Sequence, residues 1–472
     1  MRIRLTRLIL DGIRNVRHGG LDFDDLDTGG SITGVYGQNG SGKTSVIDSI
    51  RILRDLMAGR KLVEGSSDMV NSDTNRATIT AIYRITDKTG ETSYVEYAVT
   101  LTGGYADRNA RVEHESLRVS HDRNHLGRII LERTHDDGQS RKLPVYVWRS
   151  LLSIPAINRD MEFFDRASQF DGMSFLFAPY RALSDMEMDG GLMLKHFIDA
   201  AKTVNGISAQ TIAYLEDKLE PAVVLLQQLV DYANHGMHVY ATRFSDLADN
   251  RHLQVMNMKT DQSIILNLME STILSNDLME QIREAIGTYN QLLSTLVPNL
   301  QLRLSENPAQ SDNQGNPQTR VELMSSRGGA SFPFRNESEG IIRLVRLLPF
   351  FVRVYNNPDV LTAIDDIDTG MSEKLLGDMF RQLVSGIHGQ LIFTANNLRL
   401  FELLPGKCLR TTVTDVYDRF SRGPKIRPTN NGRSVYLTTT DIGWDGPDLY
   451  ENPPARMFAN MLFLADHPEE GE

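Results

Sequence analysis

Gly37-Gln38-Asn39-Gly40-Ser41-Gly42-Lys43-Thr44 decides the reading of this chain. It fits G-x-x-x-x-G-K-[ST] at every fixed position, and both flanks suit the pattern. Ser31-Ile-Thr-Gly-Val-Tyr36 before it is a short apolar run, read as a strand. After it Val46, Ile47, Ile50, Leu53 and Leu56 recur at helical spacing. Strand, glycine-rich turn and helix together form a phosphate cradle. Glycines let backbone N–H groups turn inward around phosphate, and the helix adds its positive N-terminal end. Lys43 supplies a point charge, and the Thr44 hydroxyl can ligand Mg²⁺. Gly37, Asn39, Gly40, Ser41, Gly42, Lys43, Thr44 and Ser45 are therefore the candidate ATP-binding residues.

A second site lies far along the chain. Val360-Leu-Thr-Ala-Ile364 is a buried-strand pattern ending in Asp365-Asp366. In phosphate-loop enzymes an acid at such a strand end holds Mg²⁺, and a neighbouring acid polarises the attacking water. Asp365 takes the first role and Asp366 the second; an acidic turn start is the alternative. Gln390-Leu-Ile-Phe-Thr394 is another buried strand, leading into Ala395-Asn396-Asn397.

Composition sets the outer limits. The 472 residues carry 40% hydrophobic and 24% charged side chains, ordinary for a folded globular protein. Lys and Arg number 50 against 61 Asp and Glu, a net charge of -11, which argues against a sequence-blind nucleic-acid binder but leaves room for a local basic groove. The single cysteine, Cys408, excludes an internal disulfide or a multi-cysteine zinc site and fits a cytoplasmic setting. No run approaches the roughly 20 apolar residues of a membrane span. The arginine-rich N-terminus reads as mature fold rather than a signal peptide.

The expected fold class is α/β. Residues 1–150 read as the N-terminal part of an ATPase domain, with a first strand at Ile3–Leu10, a turn at Gly19–Gly30 and antiparallel strands at Thr78–Ile85, Thr92–Leu101 and Glu113–Arg133. Val145–Trp148 reads as a further strand. Residues 151–300 read as an inserted helical lobe, with helices at Thr211–Ala233 and Asp261–Leu296. Residues 301–405 complete the ATPase domain, and 406–472 form a C-terminal extension in which Met457–Leu464 could dock as a short helix.

GVYGQNGSGKTSVIDSI, ESEGIIRL, AIDDIDTGM and QLIFTANN occur in that order. Together they resemble the ABC-type ATPases grouped with the SMC, RecF and OLD-like proteins, and among these the stand-alone AAA-type ATPases of bacterial defence loci. The resemblance covers residues 1–60 and 320–400. It implies that Asn336-Glu-Ser338-Glu-Gly340 is the signature loop, whose Ser338 and Gly340 reach the γ-phosphate of ATP held by a second subunit. It implies that Asp368-Thr-Gly370 is a loop at the dimer interface, and that Arg14 and Asn15 approach the nucleotide. A homodimer, a separate effector chain such as a nuclease, and DNA as a possible partner follow from the same resemblance. The 75 residues after Asn397 carry no acid clusters of the Toprim nuclease that OLD-like proteins possess.

Two departures stand out. The second acid is Asp366 where the family has Glu, one methylene shorter. The family's switch histidine is replaced by a stretch containing Asn396, which can hydrogen-bond a phosphate but carries no proton. Both point to tight ATP binding with slow hydrolysis, or to a nucleotide-dependent scaffold. Gln139 and Gln169 are the candidates for the family's metal-side glutamine. Weaker features are His121 and His125 as a metal pair, the acidic Asp185–Asp189 segment, and the basic stretch 410–433, with Arg419, Arg422, Lys425 and Arg427 as candidate contacts for nucleic-acid phosphate.

Overall fold

The computed structural model describes the chain except residues 27–28, 104–108, 126, 137–138, 171, 179–191, 205–206, 242–250, 258–262, 312–313, 425, 427–430, 444, 452–460, 464 and 466–472. Two large sheets dominate. One is a seven-stranded antiparallel sheet in the order Val16–Asp22, Arg2–Ile13, Arg76–Thr86, Thr92–Thr102, Arg111–Ser120, Arg128–Asp136 and Gln139–Leu143. The other has six strands in the order Phe420–Ser421, Leu409–Thr412, Ser31–Tyr36, Gln390–Thr394, Leu361–Ile364 and Met237–Tyr240. All its pairings are parallel except that of the edge strand Phe420–Ser421. Its central strands are buried along their whole length, which is why they read as unbroken apolar runs.

Parallel strands bring their C-terminal ends to one edge, where ligands of open α/β sheets bind. Here that edge gathers the phosphate loop after Tyr36, the acids after Ile364 and the amide turn after Thr394. The helix Lys43–Met57 is buried on nearly every face and contacts strands of both sheets. The sheets also meet directly. The buried Gln390 accepts from Leu5 N–H at 3.1 Å and donates to Leu5 O at 2.7 Å.

The α/β class and the expected strands around the phosphate loop are present. Three local expectations are corrected. Residues 145–152 form a helix, burying Val147, Trp148 and Leu151 on one side; four consecutive apolar residues carry no periodicity to separate strand from helix. The stretch expected as a turn from Gly19 overlaps Val16–Asp22, which pairs with the first strand through Gly19 and Gly20. The lobe expected to be helical also holds strands at 237–240, 252–256, 263–267 and 272–275. The strand Ser263–Asn267 alternates exposed and buried positions, a two-residue period hidden among frequent aliphatics. The helix there is Asn276–Leu296, shorter than expected. Asp185–Asp189 lies outside the described residues, and so does most of Met457–Leu464. Among the described residues no helix is long and apolar enough to cross a membrane.

Candidate functional site

The phosphate loop takes its shape from glycine. Gly37, Gly40 and Gly42 all have positive φ. A Cβ on Gly37 would lie 1.7 Å from Thr412 Oγ1, so any other residue there would displace the Thr412 side chain. Thr412 donates to Ser41 Oγ at 2.6 Å and ties the loop to that strand. Asn15 donates to Gly40 O from the other side. A Cβ on Gly40 would meet nothing within 4 Å, so the top of the loop is open.

The helix beginning at Lys43 has Gly42 as its N-cap, no side-chain cap and no acid in its first turn. Its first N–H groups and its positive end are left for an external anion. Lys43 is 7% exposed, and its ammonium donates to Gly37 O at 2.7 Å and Gln38 O at 3.1 Å. Burial lowers the Lys43 pKa from its ordinary value, while Asp366, Asp365 and Asp368 pull it up. Thr44 is half-buried one residue further on, and Ser45 is buried.

Across the edge Asp365 is fully buried, and its Oδ1 accepts from Thr394 Oγ1 at 2.7 Å. The same Thr394 oxygen accepts from Asp366 N–H at 2.7 Å. Asp366 sits at φ 47, a left-handed conformation that a non-glycine residue adopts only when its surroundings hold it there. Burial, with Asp365 and Asp368 beside it, raises the Asp366 pKa above the usual carboxylate value, against Lys43 and Arg343. Asn396 donates to Asp366 Oδ1 at 3.3 Å, and its backbone N–H reaches Asp368 Oδ2 at 3.0 Å. The residues expected to hold phosphate, magnesium and the attacking water thus surround one edge.

The signature segment lies beside the acids. Ser338 is the exposed N-cap of the helix Glu339–Asn356 and makes no capping bond. Gly340 is buried against the loop after the acids; a Cβ there would lie 1.9 Å from Gly370 O. From the same helix Arg343 donates to Asp365 O at 2.7 Å and Asp366 O at 2.6 Å, with its guanidinium 5.2 Å from the centre of the Tyr240 ring. Sequence reading missed Arg343, Thr394 and Thr412. Arg343 stands in ESEGIIRL three residues past Gly340, which was the one available signal. A threonine on a strand offered none.

Other candidates have different roles. Arg14 donates to the buried Asp48 at 2.8 Å, so its charge is used inside the fold, while its neighbour Asn15 touches the phosphate loop. His121 and His125 lie in a bend and turn, His125 pairs with Asp122 at 2.7 Å, and no metal-holding cluster occurs among the described residues. In the basic stretch, Arg410 is buried on Asp24 and Arg419 on the carbonyls of Val413 and Thr414, while Arg422 shares Asp24. Lys425 and Arg427 lie outside the described residues. Gln139 begins the last antiparallel strand, and Gln169 lies in the helix Pro155–Phe170.

The residues present fit Mg²⁺-ATP. An uncapped helix start, an open glycine turn and a buried lysine suit phosphate. The Thr44 hydroxyl and Asp365 carboxylate are hard oxygen donors, as Mg²⁺ prefers.

Residues 7–170 match the family described as AAA domain. Among solved structures, the Smc head domain of Pyrococcus furiosus bound to the C-terminal domain of ScpA aligns at 13% identity and TM-score 0.37, over 84% of this chain and 91% of that one. The SMC head domain from Thermotoga maritima aligns at 12% identity and TM-score 0.34, over 89% and 98%. The recombination mediator RecF with ATP aligns at 10% identity and TM-score 0.34, over 84% and 94%. No curated protein sequence matches the chain. Residues 7–170 thus match an AAA domain, and the phosphate loop facing an acid-tipped parallel strand gives the chain the arrangement of a phosphate-loop nucleotide site.

Proposed function

We propose that the chain binds Mg²⁺-ATP and hydrolyses it slowly, as a nucleotide-dependent dimeric switch in DNA maintenance or anti-phage defence that acts with a separate effector chain. The observation that carries this reading is the pairing of an uncapped, acid-free helix start at Lys43 with the acids Asp365 and Asp366 on the same sheet edge.

Each residue has a role in that reading. Backbone N–H groups of Gly40, Ser41, Gly42 and Lys43 hold the phosphates, with Lys43 moving from the loop carbonyls to phosphate oxygen. Thr44 and Asp365 hold Mg²⁺, which supplies charge neutralisation at the phosphates. Asp366 orients water and accepts its proton, standing beside the metal-side acid at the same strand end. Asn396 holds Asp366 on one side but carries no proton of its own. The shorter Asp366 arm is the expected cause of slowness, because a misplacement of about 1 Å costs roughly a hundredfold in rate.

The exposed Ser338 and the open Gly40 support a dimer. A second copy presenting Ser338 to this loop would close the site. Light scattering tests this. ATP should roughly double the mass of Asp366→Asn protein, ADP should not, and Ser338→Arg should abolish the effect. Mass unchanged by ATP in protein that binds it would remove the dimeric switch.

A further inference from the structure

Two acids at one strand end need different treatment. One must present its oxygens to a metal and the other must aim at water, and adjacent backbone positions do not achieve this alone. The inference rests on the ATPase reading above. We propose that Thr394 is the positioning residue that sets both acids at once, by holding the Asp365 carboxylate with its hydroxyl proton and the Asp366 backbone with its lone pair.

A threonine hydroxyl has one proton to give and lone pairs to accept with. Here the proton goes to Asp365 Oδ1 at 2.7 Å, and a lone pair takes Asp366 N–H at 2.7 Å. Thr394 is fully buried, so no water can substitute for either bond. Its strand lies beside the acid strand in parallel register, Ile364 opposite Phe393, which puts Thr394 level with the acids. The bond to Asp365 fixes one carboxylate oxygen and orients the other. The bond to Asp366 N–H holds a residue at φ 47, from which its side chain meets the Asn396 amide at 3.3 Å. The backbone of the acid pair is braced further by Arg343 and by Ile367 N–H, which donates to Thr394 O at 3.0 Å. Arg343 reaches only main-chain oxygens of the acids, and the Ile367 contact ties the residue after them to the Thr394 backbone. Thr394 Oγ1 reaches the Asp365 carboxylate itself as well as the Asp366 N–H, and removing that atom should disturb metal use and turnover without touching the phosphate loop.

The test compares wild type, Thr394→Val, which keeps the shape, and Thr394→Ser, which keeps the hydroxyl. Three readouts are needed: turnover at saturating ATP, the Mg²⁺ concentration giving half-maximal effect, and affinity for a fluorescent ATP analogue in EDTA. Thr394→Val should lose about ten- to a hundredfold in kcat and need several-fold more Mg²⁺, with affinity in EDTA unchanged. Thr394→Ser should recover to near wild type. Thr394→Val turnover and Mg²⁺ demand equal to wild type, or Thr394→Ser as impaired as Thr394→Val, would overturn the proposal. If Thr394→Val does not fold, Thr394→Cys, a weak donor of similar size, should turn over several-fold more slowly than Thr394→Ser; wild-type behaviour there overturns it equally. If wild type itself shows no turnover above Lys43→Ala, the ATPase reading has failed. The positioning claim is then decided by Mg²⁺-dependent binding of the analogue, which Thr394→Val should weaken and Thr394→Ser should keep.

Discussion

Asp366 and Lys43 define opposite halves of the chemistry, and their variants should separate binding from turnover. Asp366→Asn keeps size and removes the base, so ATP affinity should stay within about threefold while turnover falls by about a hundredfold or more. Isothermal titration and phosphate release measure the two. Loss of both would mean that Asp366 shapes the pocket instead of acting on water. Gly37→Ala is expected to abolish nucleotide binding in folded protein, because its Cβ would enter the space of Thr412 Oγ1. These residues were legible in the sequence because phosphate chemistry demands fixed types at fixed spacing. Thr394 was not legible, since its role depends on strand register and the motif alone does not show which strand lies beside the acids. Arg14 looked like a nucleotide contact but neutralises Asp48, a carboxylate buried within the phosphate-loop helix that no spacing rule reveals.

At the scale of elements, two close contacts transmit position. The signature helix touches the loop after the acids at Gly340, where a Cβ would collide with Gly370 O. Gly340→Ala should therefore push that helix away from the acids. Turnover should fall at least tenfold while ATP affinity of the monomer, set at the phosphate loop, stays unchanged; equal loss of affinity would contradict this. The second contact is Gln390, whose amide satisfies both polar groups of Leu5. Gln390→Leu leaves Leu5 N–H and O buried without partners, at about 1–3 kcal/mol each. Thermal melting should drop by several degrees, and an unchanged melting point would show that the sheets are held together elsewhere. Strands bordering the loop were readable because burial on both faces writes an unbroken apolar run. The strands from 237 to 275 were not, because four- and five-residue strands embedded among helices are too short for a period to emerge.

For the whole molecule, one wedge organises everything. The helix Lys43–Met57 is clasped between the antiparallel and parallel sheets, so the phosphate loop at its start is fixed by the core of both. The acids arrive about 320 residues later in the sequence, from a strand two places away in the sheet. That separation is why the sequence pointed to an ATPase edge while leaving the intervening lobe obscure. The basic stretch 410–433 carried a DNA reading in sequence, yet its described arginines Arg410, Arg419, Arg422 and Arg433 all serve contacts within the chain. Arg422 is held by Asp24, so Arg422→Glu should leave DNA-dependent turnover unchanged in a filter-based phosphate assay.

The most direct measurement is phosphate release from Mg²⁺-ATP by wild type, Lys43→Ala and Asp366→Asn under identical conditions. The account expects low but definite release by wild type and none above background by either variant. Wild-type release equal to Lys43→Ala, in protein shown to bind ATP, would contradict hydrolysis at this edge and leave a nucleotide clamp in its place.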